Sequence, residues 1–129
     1  MNVVDSSGWI EYFANGSNAD FFAPALENPD TLIVPAISIY EVFKKLLITV
    51  GEKDAIRLVA NLHQGTVAEL DAPLALAAAK LGWEHSLPLA DSIIYATALK
   101  YNATLWTQDV DFEKLKGVKY QPKNKKATP

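Results

Sequence analysis

The sequence predicts an α/β fold, a three-layer sandwich with a mostly parallel sheet of four to five strands covered by helices on both faces. Short apolar runs alternate along the chain with longer segments of helical periodicity. This alternation is typical of parallel sheets, whose strands are buried on both faces. The chain has 129 residues, of which 50% are hydrophobic and 21% charged, as expected for one domain with one core.

The first predicted elements follow from local signals. "NVV" is a strand, and "SSGWIEYFAN" is a helix with Ser6 or Ser7 as its cap. "ADFFAPALEN" is a second helix, strained or interrupted at Pro24. "TLIVPA" is a strand that ends at Pro35, because proline cannot donate to a ladder.

The next two segments, "ISIYEVFKKLLITV" and "EKDAIRLVANLHQ", predict an αα-hairpin in which Gly51 ends the first helix. The first helix is expected to have a wide apolar face, with Ile37, Tyr40, Phe43, Leu47 and Val50 on it and Ile39, Val42 and Leu46 beside them. The second helix has one apolar stripe of Ile56, Val59, Ala60 and His63.

The remaining segments continue the alternation. "GTVAEL" is a strand, "PLALAAAKLGWEHS" and "DSIIYATALKY" are helices, and "ATLWT" is a strand. A short helix around "FEKLK" and a last strand at "VKY" complete the domain, which is expected to span residues 1–120. Residues 121–129 are predicted to be a basic, disordered tail.

Composition excludes several classes of protein. Cysteine is absent, so no disulfide, thiolate metal site or cysteine nucleophile is possible. No run approaches the ~20 apolar residues of a membrane span, and the first residues lack the basic start of a signal peptide. We therefore expect a cytoplasmic protein. Residues 116–129 carry five Lys and no acid, which leaves the rest of the chain strongly acidic and unlike a general nucleic-acid-binding surface.

Acidic side chains stand where the predicted segments meet one edge of the sheet. Asp5 and Asp109 follow strands, Asp91 opens a helix, and Glu41 lies early in the helix after "TLIVP". The carboxyl ends of parallel strands form the ligand crevice of such folds. Each Asp has an alternative role as a helix cap, which is strongest for Asp111, and Glu41 could pair with a lysine one turn later.

Together these acids predict a metal site. Two carboxylates ~4 Å apart repel by roughly 4 kcal/mol at an effective dielectric near 20, so a cluster must take up protons or hold a divalent cation. Oxygen ligands without Cys or His favour Mg²⁺ or Mn²⁺ over Zn²⁺. Such a cation also binds phosphate, and the matching chemistry is phosphodiester hydrolysis.

The stretches "VVDSSGWIEYF", "SIYEVFKK" and "LADSIIYATALKYNATLWTQDVDF" resemble the PIN-domain nucleases, and above all the VapC-type toxins of toxin–antitoxin modules. The resemblance covers the chain from Asn2 to about Tyr120 and implies a PIN-like sandwich. It also implies a Mg²⁺- or Mn²⁺-dependent endoribonuclease that acts on transfer or ribosomal RNA. A homodimer and a small antitoxin partner are implied as well.

The resemblance implies roles for single residues. The metal-holding and catalytic acids would be Asp5, Glu41, Asp91 and Asp109, and Thr107 matches the Thr that precedes the last of them. Thr107 is also a secondary candidate on its own account, as are Ser6 and Asp111 beside the acids. Lys44 and Lys45 are candidates for substrate binding, with a solvated helix face as their alternative role. Two positions depart from the family pattern: Gln108 stands where many relatives have a basic residue, and Trp106 where an aliphatic residue is usual.

Other functions stay open at this point. A non-toxin PIN nuclease of RNA processing would carry the same residues. A catalytically idle module that binds RNA or protein could use the same fold, although it would have no physical reason to keep four acids together. A signalling receiver is disfavoured, because Ser6 and Ser7 stand where it needs a second acid.

Overall fold

The computed structural model describes residues 1–123, and its centre is one sheet of five parallel strands in the order β3-β2-β1-β4-β5. The strands are β1 (Asn2–Val4), β2 (Leu32–Pro35), β3 (Thr66–Ala68), β4 (Thr104–Thr107) and β5 (Val118–Tyr120). In the register, Val3 of β1 lies beside Ile33 of β2 and Leu105 of β4. The predicted α/β class and parallel sheet are confirmed.

Six helices surround the sheet, together with three short 3₁₀ turns at Pro29–Thr31, Ala60–Gln64 and Val110–Phe112. The helices are α1 (Ser6–Phe13), α2 (Ala19–Leu26), α3 (Ala36–Val50), α4 (Glu52–Val59), α5 (Ala72–His85) and α6 (Leu89–Lys100). Among the described helices none has the length and apolarity needed to cross a bilayer.

The two faces of the sheet have separate cores, because successive strand residues point in opposite directions. Val4 belongs to the core formed with α1 to α4, where Trp9 and Phe22 are fully buried. Its neighbour Val3 belongs to the core on the other face, which includes Ile94 of α6 and Phe112. Helix α5 packs outside α6 on that second face. The chain is therefore a three-layer sandwich.

The predicted apolar faces of α3 and α4 are confirmed only in part. Of the predicted face of α3, Val42 and Leu46 are buried with Ser38, and Ile37 and Phe43 are half-buried against the two cores. Tyr40, Leu47 and Val50 are exposed. In the second half of the hairpin Ile56, Ala60 and His63 are exposed, while Ala55 and Leu62 are buried. Apolar residues surround most of α3, so periodicity alone could not decide which side meets the sheet. Gly51 does end α3, with a φ of +86° that favours glycine.

Three smaller expectations are also corrected. Helix α2 runs through the exposed Pro24 without a break. The helix expected at "FEKLK" is only the 3₁₀ turn Val110–Phe112. Helix α6 begins at Leu89, two residues before Asp91.

The described part of the predicted tail lies against the domain. The backbone N–H of Gln121 donates to the carbonyl oxygen of Thr107 at 3.0 Å, and the carbonyl of Pro122 accepts a hydrogen bond from Asn18 at 3.0 Å. The prediction for residues 124–129 lies outside the described residues.

Candidate functional site

The carboxyl ends of β1 and β4 meet the N-terminal parts of α1, α3 and α6 at a cavity of about 400 Å³. We call it the acidic cavity, because the residues that line it include Asp5, Glu11, Glu41, Asp91 and Asp109. All four acids that the sequence singled out therefore lie around one cavity, at the edge of the sheet where they were expected.

Asp5 is both a helix cap and a wall of the acidic cavity. It follows β1 directly, and its Oδ1 accepts a hydrogen bond from the backbone N–H of Ser7 at 2.6 Å. Its Oδ2 accepts a hydrogen bond from the hydroxyl of Thr107. Burial raises the pKa of Asp5, while the hydrogen bonds from Thr107 and Ser7 oppose that rise. The helix cap is thus Asp5, and the expected cap at Ser6 or Ser7 is wrong.

Thr107 links Asp5 to Asp109. The Thr107 side chain is fully buried, and its oxygen accepts a hydrogen bond from the backbone N–H of Asp109 at 2.9 Å while its hydroxyl donates to Asp5. Asp109 then caps the 3₁₀ turn by accepting from the N–H of Asp111 at 2.9 Å. The cap is therefore Asp109, and the expectation that Asp111 caps this turn is wrong.

Asp91 is not a cap, since it lies inside the first turn of α6. Its carboxylate is half-buried, and burial raises its pKa to about 7, with further contributions from the negative charges of Asp109, Asp5, Glu41 and Asp111. This side chain is therefore half-protonated near neutral pH unless positive charge is brought to it.

Three carboxylates are close enough to share a cation. Asp91, Asp109 and Asp111 each offer an oxygen atom, and these three atoms lie within 4.8 Å of one another. Asp5 and Glu41 complete the surroundings from other walls of the acidic cavity. All of these metal-binding atoms are carboxylate oxygens. Oxygen ligands suit Mg²⁺ or Mn²⁺ and do not suit a soft metal ion.

Glu41 is held by a partner on another helix. Its Oε1 accepts a hydrogen bond from the hydroxyl of Ser6 at 2.7 Å. Neither Lys44 nor Lys45 forms an ion pair with it among the described residues. The alternative of an ordinary helix-surface pair is therefore not observed.

The two lysines predicted to contact substrate lie in different places. Lys45 lines the acidic cavity. Lys44 lies over the ring of Tyr40, with its Nζ 5.7 Å from the ring centroid, and does not line the cavity.

Sequence reasoning missed several residues of the cavity. Glu11 stands one turn after Ser7 on α1, and that i, i+4 spacing could have placed it on the same face. Lys123 had no local signal, because the path of its segment depends on the hydrogen bond between Pro122 and Asn18, which are 104 residues apart along the chain.

Comparison with protein families identifies the chain. Residues 3–118 match the family model described as "PIN domain", so the chain belongs to the PIN domain family. No curated protein gave a match.

Solved structures with the same fold include a toxin–antitoxin complex and a toxin. A toxin–antitoxin complex from Klebsiella pneumoniae has 24% sequence identity and a TM-score of 0.79, with 92% of this chain and 96% of that chain covered. VapC20 of Mycobacterium tuberculosis, a toxin that cleaves the sarcin–ricin loop, has 19% identity, coverage of 95% and 100%, and a TM-score of 0.77. VapBC2 from Rickettsia felis, bound to a promoter DNA fragment, has 14% identity, coverage of 94% and 97%, and a TM-score of 0.71.

Proposed function

We propose that the protein is a metal-dependent endoribonuclease that hydrolyses RNA phosphodiester bonds with Mg²⁺ or Mn²⁺. The observation that carries this proposal is the convergence of carboxylates from four separate chain segments on one cavity. Burial in this cavity, with further contributions from the neighbouring carboxylates, raises the pKa of Asp91 to about 7. Ionising Asp91 in the folded chain therefore costs free energy, and a bound cation would offset that cost.

The acids have distinct roles in this proposal. Asp5, Asp91 and Asp109 would hold the cation, and Asp111 stands close enough to add a ligand. Glu41 would complete the cage or orient the attacking water, and its hydrogen bond to Ser6 fixes the carboxylate for either role.

The surrounding residues position those acids. When bound, a divalent cation supplies charge neutralisation for the phosphate and makes water a better nucleophile. Thr107 sets the orientation of Asp5 and the backbone of Asp109. Lys45 stands at the cavity wall where it can contact a phosphate. Lys44 is placed for a contact farther along an RNA strand.

We further propose that the protein is the toxin of a toxin–antitoxin pair, active in the cytoplasm on transfer or ribosomal RNA. The similarity to VapBC complexes and to VapC20 supports this assignment. An antitoxin partner and a homodimer both require apolar surface. Leu76 and Trp83 of α5 and Leu89 of α6 supply it, since each side chain is at least 75% exposed.

The test is cleavage of total cellular RNA by the purified protein with Mn²⁺, with Mg²⁺ and with EDTA. Wild type should give discrete fragments that require the metal, and Asp91→Asn should give none. Asp30→Asn is the matched control, because this exposed residue lies just before β2, at the amino ends of the strands, whereas the acidic cavity lies at their carboxyl ends. If wild type leaves all RNA intact and calorimetry detects no metal binding, the nuclease proposal fails.

A further inference from the structure

The chain segment after β5 is held against the domain by hydrogen bonds of a buried side chain, that of Asn18. Asn18 and Gln108 are 5% and 4% exposed. The side-chain amide of Asn18 donates both to Oε1 of Gln108 at 2.9 Å and to the carbonyl oxygen of Pro122 at 3.0 Å. Buried polar groups that are fully partnered define one arrangement of the backbone. The path of residues 121–122 is therefore set by the domain and is not that of a loose tail.

This path places Lys123 at the junction of two cavities. Lys123 lines the acidic cavity and also a second cavity of about 530 Å³. The second cavity, which we call the flanking cavity, is lined by Ser7, Gln108, Asp109, Val110, Tyr120, Pro122 and Lys123. Its volume lies in the usual range of small-ligand sites, and Tyr120 offers an aromatic ring of the kind on which nucleobases stack.

Charge explains why a lysine matters at this place. The lining of the acidic cavity includes five carboxylates, and within the described residues its only cations are Lys45 and Lys123. A polyanion that approaches such a cavity is repelled unless positive charge lies along its route. Lys45 comes from α3 and Lys123 from the C-terminal segment, so two unrelated parts of the chain supply that charge.

We propose that Lys123 contacts the RNA phosphate next to the scissile one, with the attached nucleotide in the flanking cavity. Asn18 is a positioning residue, because it acts on the substrate only through the segment that carries Lys123. This inference rests on the proposed ribonuclease activity.

The experiment measures initial rates of total-RNA cleavage in Mn²⁺ as a function of RNA concentration, at about 50 to 200 mM KCl. Lys123→Gln should raise the apparent KM roughly fivefold at the lowest salt and leave kcat within about twofold. It should also reduce the slope of log KM against log salt by ~0.7, the value of one single-strand phosphate contact. Lys123→Arg should restore both quantities. Lys116→Gln is the control, because it removes the same charge from an exposed residue just before β5, at the amino ends of the strands, whereas the acidic cavity lies at their carboxyl ends.

The role of Asn18 needs a measurement that lost stability cannot imitate. Asn18→Ala should raise KM as Lys123→Gln does, and the double variant should be little worse than either single variant, since both act on one contact. Additive effects would refute the positioning role.

The possible results distinguish a failure of the inference about Lys123 from a failure of the proposed ribonuclease activity. If wild type cleaves RNA and Lys123→Gln has the KM and salt slope of Lys116→Gln, the inference about Lys123 is wrong and the nuclease stands. If wild type does not cleave RNA, both are wrong.

Discussion

Asp91→Asn should stabilise the metal-free protein at high pH and remove much of its pH dependence. The folded-state pKa of Asp91 is raised from 3.8 to about 7, so the folded protein binds this proton more tightly than the unfolded chain does. The resulting stability is fully present below about pH 3.8 and is lost as the pH rises through about 7. Asparagine has no proton to lose and keeps the shape of the side chain.

The size of the effect follows from the shift. One pKa unit corresponds to about 1.4 kcal/mol, so a rise from 3.8 to about 7 corresponds to roughly 4 kcal/mol over the whole range. Asp91 is only half-buried, and solvent screening reduces that figure. Between about pH 5 and pH 8 we therefore expect wild type to lose roughly 1–2 kcal/mol relative to Asp91→Asn.

Urea unfolding in EDTA at several pH values measures this difference, with Asp30→Asn as the matched control. Adding Mn²⁺ at about pH 8 should stabilise wild type, because a ligand that binds only the folded state adds stability, and should stabilise Asp91→Asn much less. If Asp91→Asn is less stable than wild type at high pH, or if both lose stability equally as the pH rises, the pKa of Asp91 is not raised in the folded protein.

Two further changes test other parts of the structure. Thr107→Val keeps the side-chain shape but removes the hydrogen-bond partner of both Asp5 and the backbone N–H of Asp109, so it should lower the free energy of unfolding by roughly 2–4 kcal/mol in chemical denaturation. Thr107→Ser keeps the hydroxyl and should lower it much less. A Thr107→Val variant as stable as wild type would contradict the structural role of these hydrogen bonds. If the protein forms the proposed homodimer through α5, Trp83→Glu should convert it into a monomer in light scattering without loss of helical circular dichroism, since Trp83 is 81% exposed. A variant that remains dimeric would contradict a dimer contact at Trp83.

Strands β1, β2 and β4 could be predicted because each is a short, mostly apolar run followed or closed by a residue that ends the run. Pro35 closes β2, and Asp5 and Gln108 follow β1 and β4 directly. With those strand ends on one side of a parallel sheet, the acids after them were expected near the same crevice. That Asp109 lies near Asp5 also depends on the pairing of β4 with β1, and patterns within a few residues do not determine that strand order.

The orientation of α3 could not be predicted in the same way. Its apolar residues surround more than one face, so a helical period fits both Tyr40–Leu47 and the buried pair Val42 and Leu46. Which side is buried depends on the sheet beneath it and not on the helix itself. The apolar side chains of α3 that stay exposed are available to a partner protein. When one helix has apolar residues both for the core and for a partner, the sequence pattern does not show which of them face the core.

Residues joined across long sequence distances were missed for a similar reason. Asn18 is polar and stands near a helix start, where a capping role would be the ordinary expectation. It makes no side-chain cap hydrogen bond, and its amide instead joins Gln108 and Pro122. That use of Asn18 becomes visible only when β5 is placed beside β4.

Asp5 and Asp91 differ in what their substitution can reveal, although both line the acidic cavity. The carboxylate of Asp5 accepts hydrogen bonds at both oxygens, from Ser7 and from Thr107. Asparagine could keep the first bond, but its NH₂ group would face a hydroxyl whose oxygen already accepts from Asp109, and that hydroxyl would lose its own acceptor. Loss of activity in Asp5→Asn would therefore combine a disturbed cap with a lost ligand. Asp91 makes no hydrogen bond of this kind among the described residues, so its substitution separates the metal-holding role from the fold.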